Sequence, residues 1–322
     1  MAASPYRPHG VVPACLMPFR DDFSIDERAL RSHLDDLAST DGVTAVVVNG
    51  HASEAACCSP EEQRRIVDIA VEQIGGQVAV IAGIYADGSL PAAELARSAE
   101  AAGAHGVLVF PTSGYISAHP LSMVVRHYGH IADACSLPIT VFQYPEASGH
   151  CYPVSTLVGL AEAVPSIVAV KDNARDIQAH DRHIRALSAL SRPVNVLTTH
   201  ANWLLSTLAL GSHGIISGSG SILAPLHVEL WRAVQSGDLH RAREVSERIH
   251  RAASVLYAEP RVDQHNRMKE GLVLLGRLPR AVVRPPLGKL GDDEIERIRA
   301  GLVGAGLLNA SDQAGPRLAE YA

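Results

Sequence analysis

The sequence predicts a (β/α)8 barrel, an α/β fold, followed by a C-terminal helical domain. Short apolar runs rich in β-branched residues recur along the first two-thirds of the chain, and a stretch of helical periodicity follows each run. Eight such units fit into about 220 residues, which is typical of a single barrel. The runs are apolar throughout instead of alternating, as expected for parallel strands that are covered on both faces. A G-x-G-x-x-G motif does not follow the first run, which disfavours a dinucleotide-binding sheet.

The elements can be placed in order along the chain. The predicted strands cover residues 11–19, 43–49, 77–84, 106–111, 138–142, 167–171, 194–198 and 214–217. After about residue 230 the strand pattern stops, and helices are predicted over residues 239–257, 262–275 and 292–302. We therefore expect a barrel over residues 8–230, a helical domain over residues 231–308 and a flexible tail over residues 309–322.

Local signals mark where the helices begin and end. The segments Ser24-Ile-Asp-Glu27 and Ser59-Pro-Glu-Glu62 both have the pattern of a capping box, in which a serine and a glutamate satisfy each other's backbone N–H groups. A faint repeat, Ala102-Gly-Ala-His-Gly106 and Leu210-Gly-Ser-His-Gly214, precedes two of the strands. Each glycine can close a helix in the left-handed conformation, so that the next strand can start tightly.

Composition narrows the class of protein. Of the 322 residues 47% are hydrophobic and 19% charged, and the net charge is −6 without a basic block, which disfavours nucleic-acid binding and a polybasic membrane surface. The opening residues lack the pattern of a signal peptide, and the apolar runs are too short to span a membrane. Five cysteines without a C-x-x-C pair are typical of a reduced intracellular chain. We predict a soluble, cytoplasmic globular protein.

Lys171 is the central candidate for chemistry. Lysine and arginine total 28, yet only Lys171, Lys269 and Lys289 are lysines. Lys171 ends an apolar predicted strand, and chemistry in a barrel lies where strands end. Burial there would lower the pKa of the amine, and a neutral amine can attack a carbonyl to form a Schiff base. The alternatives are a lysine that extends to solvent or one that pairs with Asp172.

The loop Gly50-His-Ala-Ser-Glu54 follows the second predicted strand. Its small residues expose successive backbone N–H groups, which suits a bound carboxylate, although an ordinary turn explains the pattern equally well. His51 is the group in this loop that can titrate near neutrality, whereas Glu54 is expected to be a structural hydrogen-bonding group. A metal site is disfavoured, because Cys57 and Cys58 are adjacent, a spacing that rarely lets both bind one metal.

Short segments along nearly the whole chain match a known family. The chain resembles the dihydrodipicolinate synthase and N-acetylneuraminate lyase family of Schiff-base aldolases. The matching segments are Met17-Pro-Phe19, Gly50-His-Ala-Ser-Glu54, Ala102-Gly-Ala-His-Gly106, Phe142-Gln-Tyr-Pro145, Val168-Ala-Val-Lys-Asp172, Gly214-Ile-Ile-Ser217 and Arg284-Pro-Pro-Leu287. The resemblance implies a (β/α)8 barrel with C-terminal helices, Lys171 as the Schiff-base lysine, no cofactor, and a homotetramer or homodimer.

The departures from the family pattern concern proton transfer and the second substrate. Phe142 replaces the family's tyrosine, and the threonine pair that binds the keto-acid carboxylate is His51-Ala52 here. Thr112-Ser113 replaces a Tyr-Tyr pair, and Ala147 stands where the synthase has an arginine for the second substrate's carboxylate. Lysine biosynthesis and sialic acid cleavage are therefore disfavoured.

We predict a lyase or aldolase that forms a Schiff base with pyruvate or another 2-oxo acid. A dehydratase or hydratase-aldolase of the same family and a non-catalytic keto-acid-binding barrel are the alternatives. Lys171 is the predicted nucleophile, with His51 as the acid–base or orienting group and Tyr144 or Tyr115 assisting; His200 is a further strand-end candidate. The predicted substrate contacts are Gly50, Ala52, Ser53, Phe142, Ile216, Ser217 and Gly218, and no metal is expected.

Overall fold

A computed structural model describes residues 6–115, 119–199 and 201–309. Within these residues the chain forms one sheet of eight parallel strands. They are β1 (Gly10–Pro13), β2 (Ala45–Val48), β3 (Ala79–Ile84), β4 (Gly106–Val109), β5 (Ile139–Gln143), β6 (Ile167–Asp172), β7 (Asn195–Thr198) and β8 (Gly214–Ser217). Each lies within or one residue beyond a predicted run, because the apolar runs contain the residues that are buried on both faces of the sheet.

The strands close into a barrel. Their order is β1-β8-β7-β6-β5-β4-β3-β2, and each strand is parallel to its neighbours. Parallel bridges between Val11 and Val43 and between Ala14 and Val47 join the first strand segment to the second. The predicted (β/α)8 barrel is confirmed.

Helices follow the strands and cover the barrel. The helices around the barrel are α1 (Glu27–Ala38), α2 (Pro60–Ile74), α3 (Ser89–Ala101), α4 (Leu121–Ala134), α5 (Val154–Ala163), α6 (Ile177–Ser188), α7 (Leu204–Ala209) and α8 (Gly220–Gln235). Three more complete the described chain: α9 (Leu239–Leu256), α10 (Gln264–Leu274) and α11 (Asp292–Gly304). The expected boundary after residue 230 falls inside α8, and all but the first residue of the expected tail lie outside the described residues.

One of the two predicted capping boxes is confirmed. At α2, the Ser59 hydroxyl accepts from the Glu62 N–H and the Glu62 carboxylate accepts from the Ser59 N–H. At α1 the prediction is wrong, because the N-cap is Asp26, whose carboxylate accepts from the Ala29 N–H at 3.1 Å. The Ser24 hydroxyl donates to Asp22 instead, at 2.6 Å. Asp26, which directly precedes α1, is therefore the residue that caps the helix.

The faint repeat has the same structure at both sites. Gly103 and Gly211 have φ of +87° and +99°, the left-handed conformation expected for a helix-closing glycine. Two residues later, the ring Nδ1 of His105 accepts from the Val80 N–H, and the ring Nδ1 of His213 accepts from the Val196 N–H. The histidine therefore continues the parallel ladder to the preceding strand by one side-chain hydrogen bond.

Candidate active site

A cavity of about 360 Å³ lies where the strands end. The loop after β2, the ends of β5 and β6, and the segment that opens α10 all contribute to its lining, and Lys171 lies within it. Among the described residues, no aspartate or glutamate lines this cavity. It therefore favours anionic ligands.

Lys171 lies at the end of β6 with 5% of its surface exposed. Its Nζ lies 4.7 Å from the centre of the Phe142 ring, its neighbour across the β5–β6 pair. Burial lowers the pKa of Lys171 to about 7. Among the described residues the amine has neither a hydrogen bond nor an ion pair. With this pKa a large share of the amine is neutral at physiological pH, and it is accessible from the cavity.

Asp172 is not the partner of Lys171. Successive side chains of a strand point to opposite faces, and Asp172 faces the surrounding helices. Its Oδ2 accepts from His180 at 2.7 Å and from His183 at 2.8 Å, and both histidines belong to α6. These contacts hold the pKa of Asp172 low despite its burial. The alternative of a Lys171–Asp172 pair is therefore wrong.

His51 and Tyr144 form a hydrogen-bonded pair beside Lys171. The Tyr144 hydroxyl lies 2.6 Å from His51 Nε2, and both side chains line the cavity. The His51 ring also packs on Phe110 and Phe142, with ring centres 4.8 and 5.4 Å apart. Two candidates that lie 93 residues apart in the chain thus meet at one point of the site.

The expectation that His51 titrates near neutrality is wrong. Burial among aromatic rings, together with the charge of Lys171, lowers the pKa of His51 to about 3. Burial also raises the pKa of Tyr144 above that of an ordinary phenol. Both groups are therefore neutral at physiological pH, with one proton in the shared hydrogen bond.

The loop after β2 uses some of its N–H groups internally and leaves others available. The Ser53 and Glu54 N–H groups donate to the carbonyls of Gly50 and His51, and the Ser53 hydroxyl donates to the Cys15 carbonyl. The N–H groups of Gly50, His51 and Ala52 have no acceptor within the described part of the chain. The loop can therefore offer a carboxylate three successive donors.

Glu54 has a structural role, as expected. It is buried with φ of +50°, and its carboxylate forms an ion pair with Lys269 of α10. The Lys269 amine also donates to the Val282 carbonyl at 2.7 Å. Glu54 thus connects the loop that carries His51 to the C-terminal helices.

Several predicted site residues lie elsewhere. Tyr115 is 55% exposed and does not line the cavity, so its assignment as an assisting group is not supported by its position. Ile216 and Ser217 are fully buried in β8 and do not line the cavity, whereas Gly218 does. His200 lies outside the described residues.

Sequence reasoning missed four cavity residues with useful chemistry. Arg175 follows β6, Arg261 precedes α10, and Tyr257 and His265 come from the C-terminal helical segment. Burial, together with the nearby charges of Lys269 and Lys171, lowers the pKa of His265 to about 3. The proximity of Arg175 to Lys171 in the chain was an available signal, but the other three join the cavity only through packing.

A metal site and a membrane span each have defined structural requirements. In the described ranges no cluster of three histidine, cysteine, aspartate or glutamate side chains could hold a metal ion. The helices of those same ranges include none with the length and apolarity that a membrane span requires.

A cavity at the strand ends of a (β/α)8 barrel, with a buried and unpaired lysine inside it, is typical of the active site of an enzyme. The model of the dihydrodipicolinate synthetase family matches residues 7–303. The 4-hydroxy-tetrahydrodipicolinate synthase of Methanopyrus kandleri is 33% identical over 304 residues, 93% of this chain and 97% of the relative. That of Kineococcus radiotolerans is 32% identical over 317 residues, 96% of this chain and 97% of the relative.

The solved structures agree. A dihydrodipicolinate synthase from Thermotoga maritima matches with a TM-score of 0.86 and 25% identity, over 94% of this chain and all of that one. The chain belongs to the dihydrodipicolinate synthetase family, a family of lyase and synthase enzymes.

Proposed function

We propose that this protein is a lyase or aldolase that forms a Schiff base between Lys171 and pyruvate or another 2-oxo acid. The observation that carries the proposal is the state of Lys171. Its amine is buried at the cavity, it has no partner among the described residues, and its pKa is lowered to about 7. An amine in this state is a nucleophile at neutral pH, as a charged surface lysine is not.

The chemistry follows from this amine. Lys171 Nζ attacks the ketone carbon and a C–N bond forms. The C–O bond then breaks, and the oxygen leaves as water with one hydrogen from the amine and one proton from solvent, which produces a protonated imine. The imine withdraws electrons from the adjacent carbon, so that a C–C bond at that carbon can break or form, or, after that carbon loses a proton, a hydroxyl group on the next carbon can leave as water. The free N–H groups of His51 and Ala52 are the donors proposed to hold the carboxylate of the 2-oxo acid.

His51 and Tyr144 are the proposed proton-transfer pair. Enamine formation requires removal of a proton from the carbon next to the imine, and Phe142 cannot accept one. The phenol of Tyr144 and the imidazole of His51 share a hydrogen bond at 2.6 Å. A neutral imidazole has one donor nitrogen and one acceptor nitrogen, and which nitrogen carries the hydrogen can change. This pair supplies the acid–base function of the family's tyrosine, which Phe142 replaces in this chain.

Borohydride trapping tests the proposal. The protein is incubated with pyruvate and sodium borohydride, digested, and analysed by peptide mass spectrometry. We expect a reduced pyruvate adduct on the Lys171 peptide and no adduct in Lys171→Ala. Two controls are available. Lys289→Ala removes an exposed lysine and should still give the Lys171 adduct, and the Lys269 peptide, present in every sample, should carry no adduct. An adduct that persists in Lys171→Ala, or that forms on Lys269 or Lys289, would falsify the proposal.

A second experiment separates the alternative functions. A substrate screen of hydroxylated 2-oxo acids distinguishes C–C cleavage, which releases pyruvate and an aldehyde, from dehydration, which releases water and retains the carbon skeleton. Trapping without turnover of any such acid would indicate a keto-acid-binding barrel. The homotetramer or homodimer stays a prediction, and native mass spectrometry tests it.

A further inference from the structure

Two arginines face the candidate active site. Arg175 lies in the loop after β6, four residues beyond Lys171, and Arg261 opens the short 3-10 turn between α9 and α10. Both line the cavity that contains Lys171. They come from segments far apart in the chain, and only the fold brings them together.

The charges of these arginines are poorly compensated. Several surface arginines pair closely with carboxylates, as Arg65 does with Glu27 at 2.7 Å. Arg175 has no hydrogen bond or ion pair with any described residue, and Arg261 pairs at 3.3 Å with Glu259, which is 80% exposed. Partial burial and the charge of Arg261 lower the pKa of Arg175. Two like charges thus face a cavity that, in the described chain, has no carboxylate in its lining.

The backbone at Arg175 is also unusual. Its φ is +54°, a left-handed conformation that non-glycine residues seldom adopt. An asparagine or glycine would adopt this conformation at lower cost. A strained position occupied by an arginine without a partner is a reason to look for a ligand.

The topology places Arg175 opposite the loop after β2. In the strand order β1-β8-β7-β6-β5-β4-β3-β2, β2 and β6 are four strands apart, which puts them on opposite sides of an eight-stranded barrel. The loop after β2 presents the N–H groups of His51 and Ala52, and the loop after β6 presents Arg175. A cavity of about 360 Å³ is also larger than a three-carbon acid requires.

We infer that Arg175 and Arg261 bind a second anionic group at the far end of the substrate, which makes the preferred ligand a 2-oxo acid with a terminal carboxylate or phosphate. This inference rests on the proposed function for the position of the 2-oxo acid end. The planar, fork-shaped donors of arginine suit either oxyanion. In this inference Arg175 and Arg261 supply the positive charge that Ala147 cannot supply at its position.

The test compares ligands of matched length. The half-saturating concentration for imine trapping is measured with 2-oxoglutarate, 2-oxo-4-phosphonobutanoate and 2-oxopentanoate, which share the 2-oxo acid end and differ at the other. Binding is measured in parallel by calorimetry. We expect at least one of the two dianionic acids to saturate at a concentration about ten- to a hundredfold lower than 2-oxopentanoate, the range for a charge-assisted hydrogen bond.

Variants assign this preference to the arginines. In Arg175→Asn, which the left-handed backbone tolerates, and in Arg261→Gln, the ratio between the dianionic acids and 2-oxopentanoate should fall toward one. Arg243→Gln, which removes an exposed arginine of α9, should preserve the ratio. Equal saturation of all three acids in the unmodified protein would overturn the inference, and so would a ratio that both cavity variants preserve.

The outcomes also separate this inference from the proposed function. Lys171 trapping by pyruvate without any preference for a second anionic group refutes the inference and leaves the proposed function intact. Conversely, calorimetric binding of a dianionic acid that depends on Arg175, without trapping on Lys171, refutes the proposed function and supports the anion site.

Discussion

At the scale of single residues, His51 shows how neighbours determine chemistry. Histidine ordinarily titrates near pH 6.5, but the aromatic rings around His51 and the charge of Lys171 lower its pKa to about 3. It therefore acts as a neutral imidazole, and its hydrogen bond to Tyr144 becomes its main chemical feature.

We expect Tyr144→Phe and His51→Gln to slow proton transfer while leaving imine formation intact. The assay is exchange of the pyruvate methyl protons with deuterated water, followed by NMR, which needs no knowledge of the natural substrate. Each variant should exchange about a hundredfold more slowly, within the range for general acid–base groups. The double variant should be no slower than the slower single one, because the two groups act as a unit. Unchanged exchange in both single variants would contradict the assignment; Tyr115→Phe, at an exposed position outside the cavity, is the control.

Lys171 should reduce the stability of the fold in a pH-dependent way. Its pKa falls from 10.5 in the unfolded chain to about 7 in the folded protein, so the unfolded state binds more protons between these values. The destabilisation is complete below pH 7 and is lost as the pH rises toward 10.5. At its maximum it is on the order of 5 kcal/mol.

Lys171→Met should therefore raise the free energy of unfolding by several kcal/mol at pH 6. The gain should shrink by more than half at pH 9, because the folded protein then holds a neutral amine and less charge is buried. Urea unfolding at the two pH values measures both quantities. Lys289→Met, at an exposed position, is the control and should show no such pH-dependent gain. A gain of equal size at both pH values would show that the buried charge is not its cause.

At the scale of elements, a glycine at a helix end and one inside a helix should respond oppositely to alanine. Gly211 closes α7 with φ of +99°, whereas Gly129 lies within α4, and an added methyl group meets no atom within 4 Å at either site. Gly211→Ala should lower the free energy of unfolding by about 1–2 kcal/mol, because only φ is unfavourable there. Gly129→Ala should raise it by about 0.5–1 kcal/mol. Urea denaturation tests the pair, and a shift of the same sign in both would refute this explanation of the repeat.

At the scale of the whole molecule, one buried ion pair joins the C-terminal helices to the active-site loop. Glu54 and Lys269 are 4% and 0% exposed and 215 residues apart in the chain. Arg284 adds contacts to the same region through Glu62 and the carbonyl of Cys57. The C-terminal helices therefore help to position the loop that carries His51.

Removal of either partner should destabilise the protein strongly. Glu54→Gln and Lys269→Met should each lower the free energy of unfolding by about 3–5 kcal/mol, because each leaves an uncompensated charged or polar group in the interior. The double variant should lose less than the sum of the two. Lys289→Met serves as the surface control for chemical denaturation. Strictly additive losses would show that the two residues do not act as a pair.

We also expect little 4-hydroxy-tetrahydrodipicolinate synthase activity, although the relatives reported above have that name. Phe142 and Ala147 remove the phenol and the arginine that the resemblance implies for that reaction, and Arg175 and Arg261 approach from other loops. The assay is condensation of pyruvate with aspartate semialdehyde, with complementation of a lysine auxotroph as the measurement in cells. Complementation would contradict this expectation.

The sequence by itself determined the features that depend on neighbouring residues. The eight strands, the Ser59 capping box, the helix-closing glycines and the position of Lys171 at a strand end all follow from short-range patterns of apolar residues, glycine and cap residues. The family follows from the order and spacing of short motifs. The choice of Ser24 as an N-cap was wrong because Asp26, two residues later, competes for the same role.

Only the tertiary structure decided which groups meet at Lys171 and what their pKa values are. Tyr144 and Tyr115 both lie near strand ends, and packing brings Tyr144 to His51 while it leaves Tyr115 exposed. Arg261 enters the cavity from the C-terminal helical segment, which no local pattern indicated. The physical reason is that burial and charge proximity are properties of the packed chain: contacts between residues far apart in sequence set them, and no local pattern records those contacts.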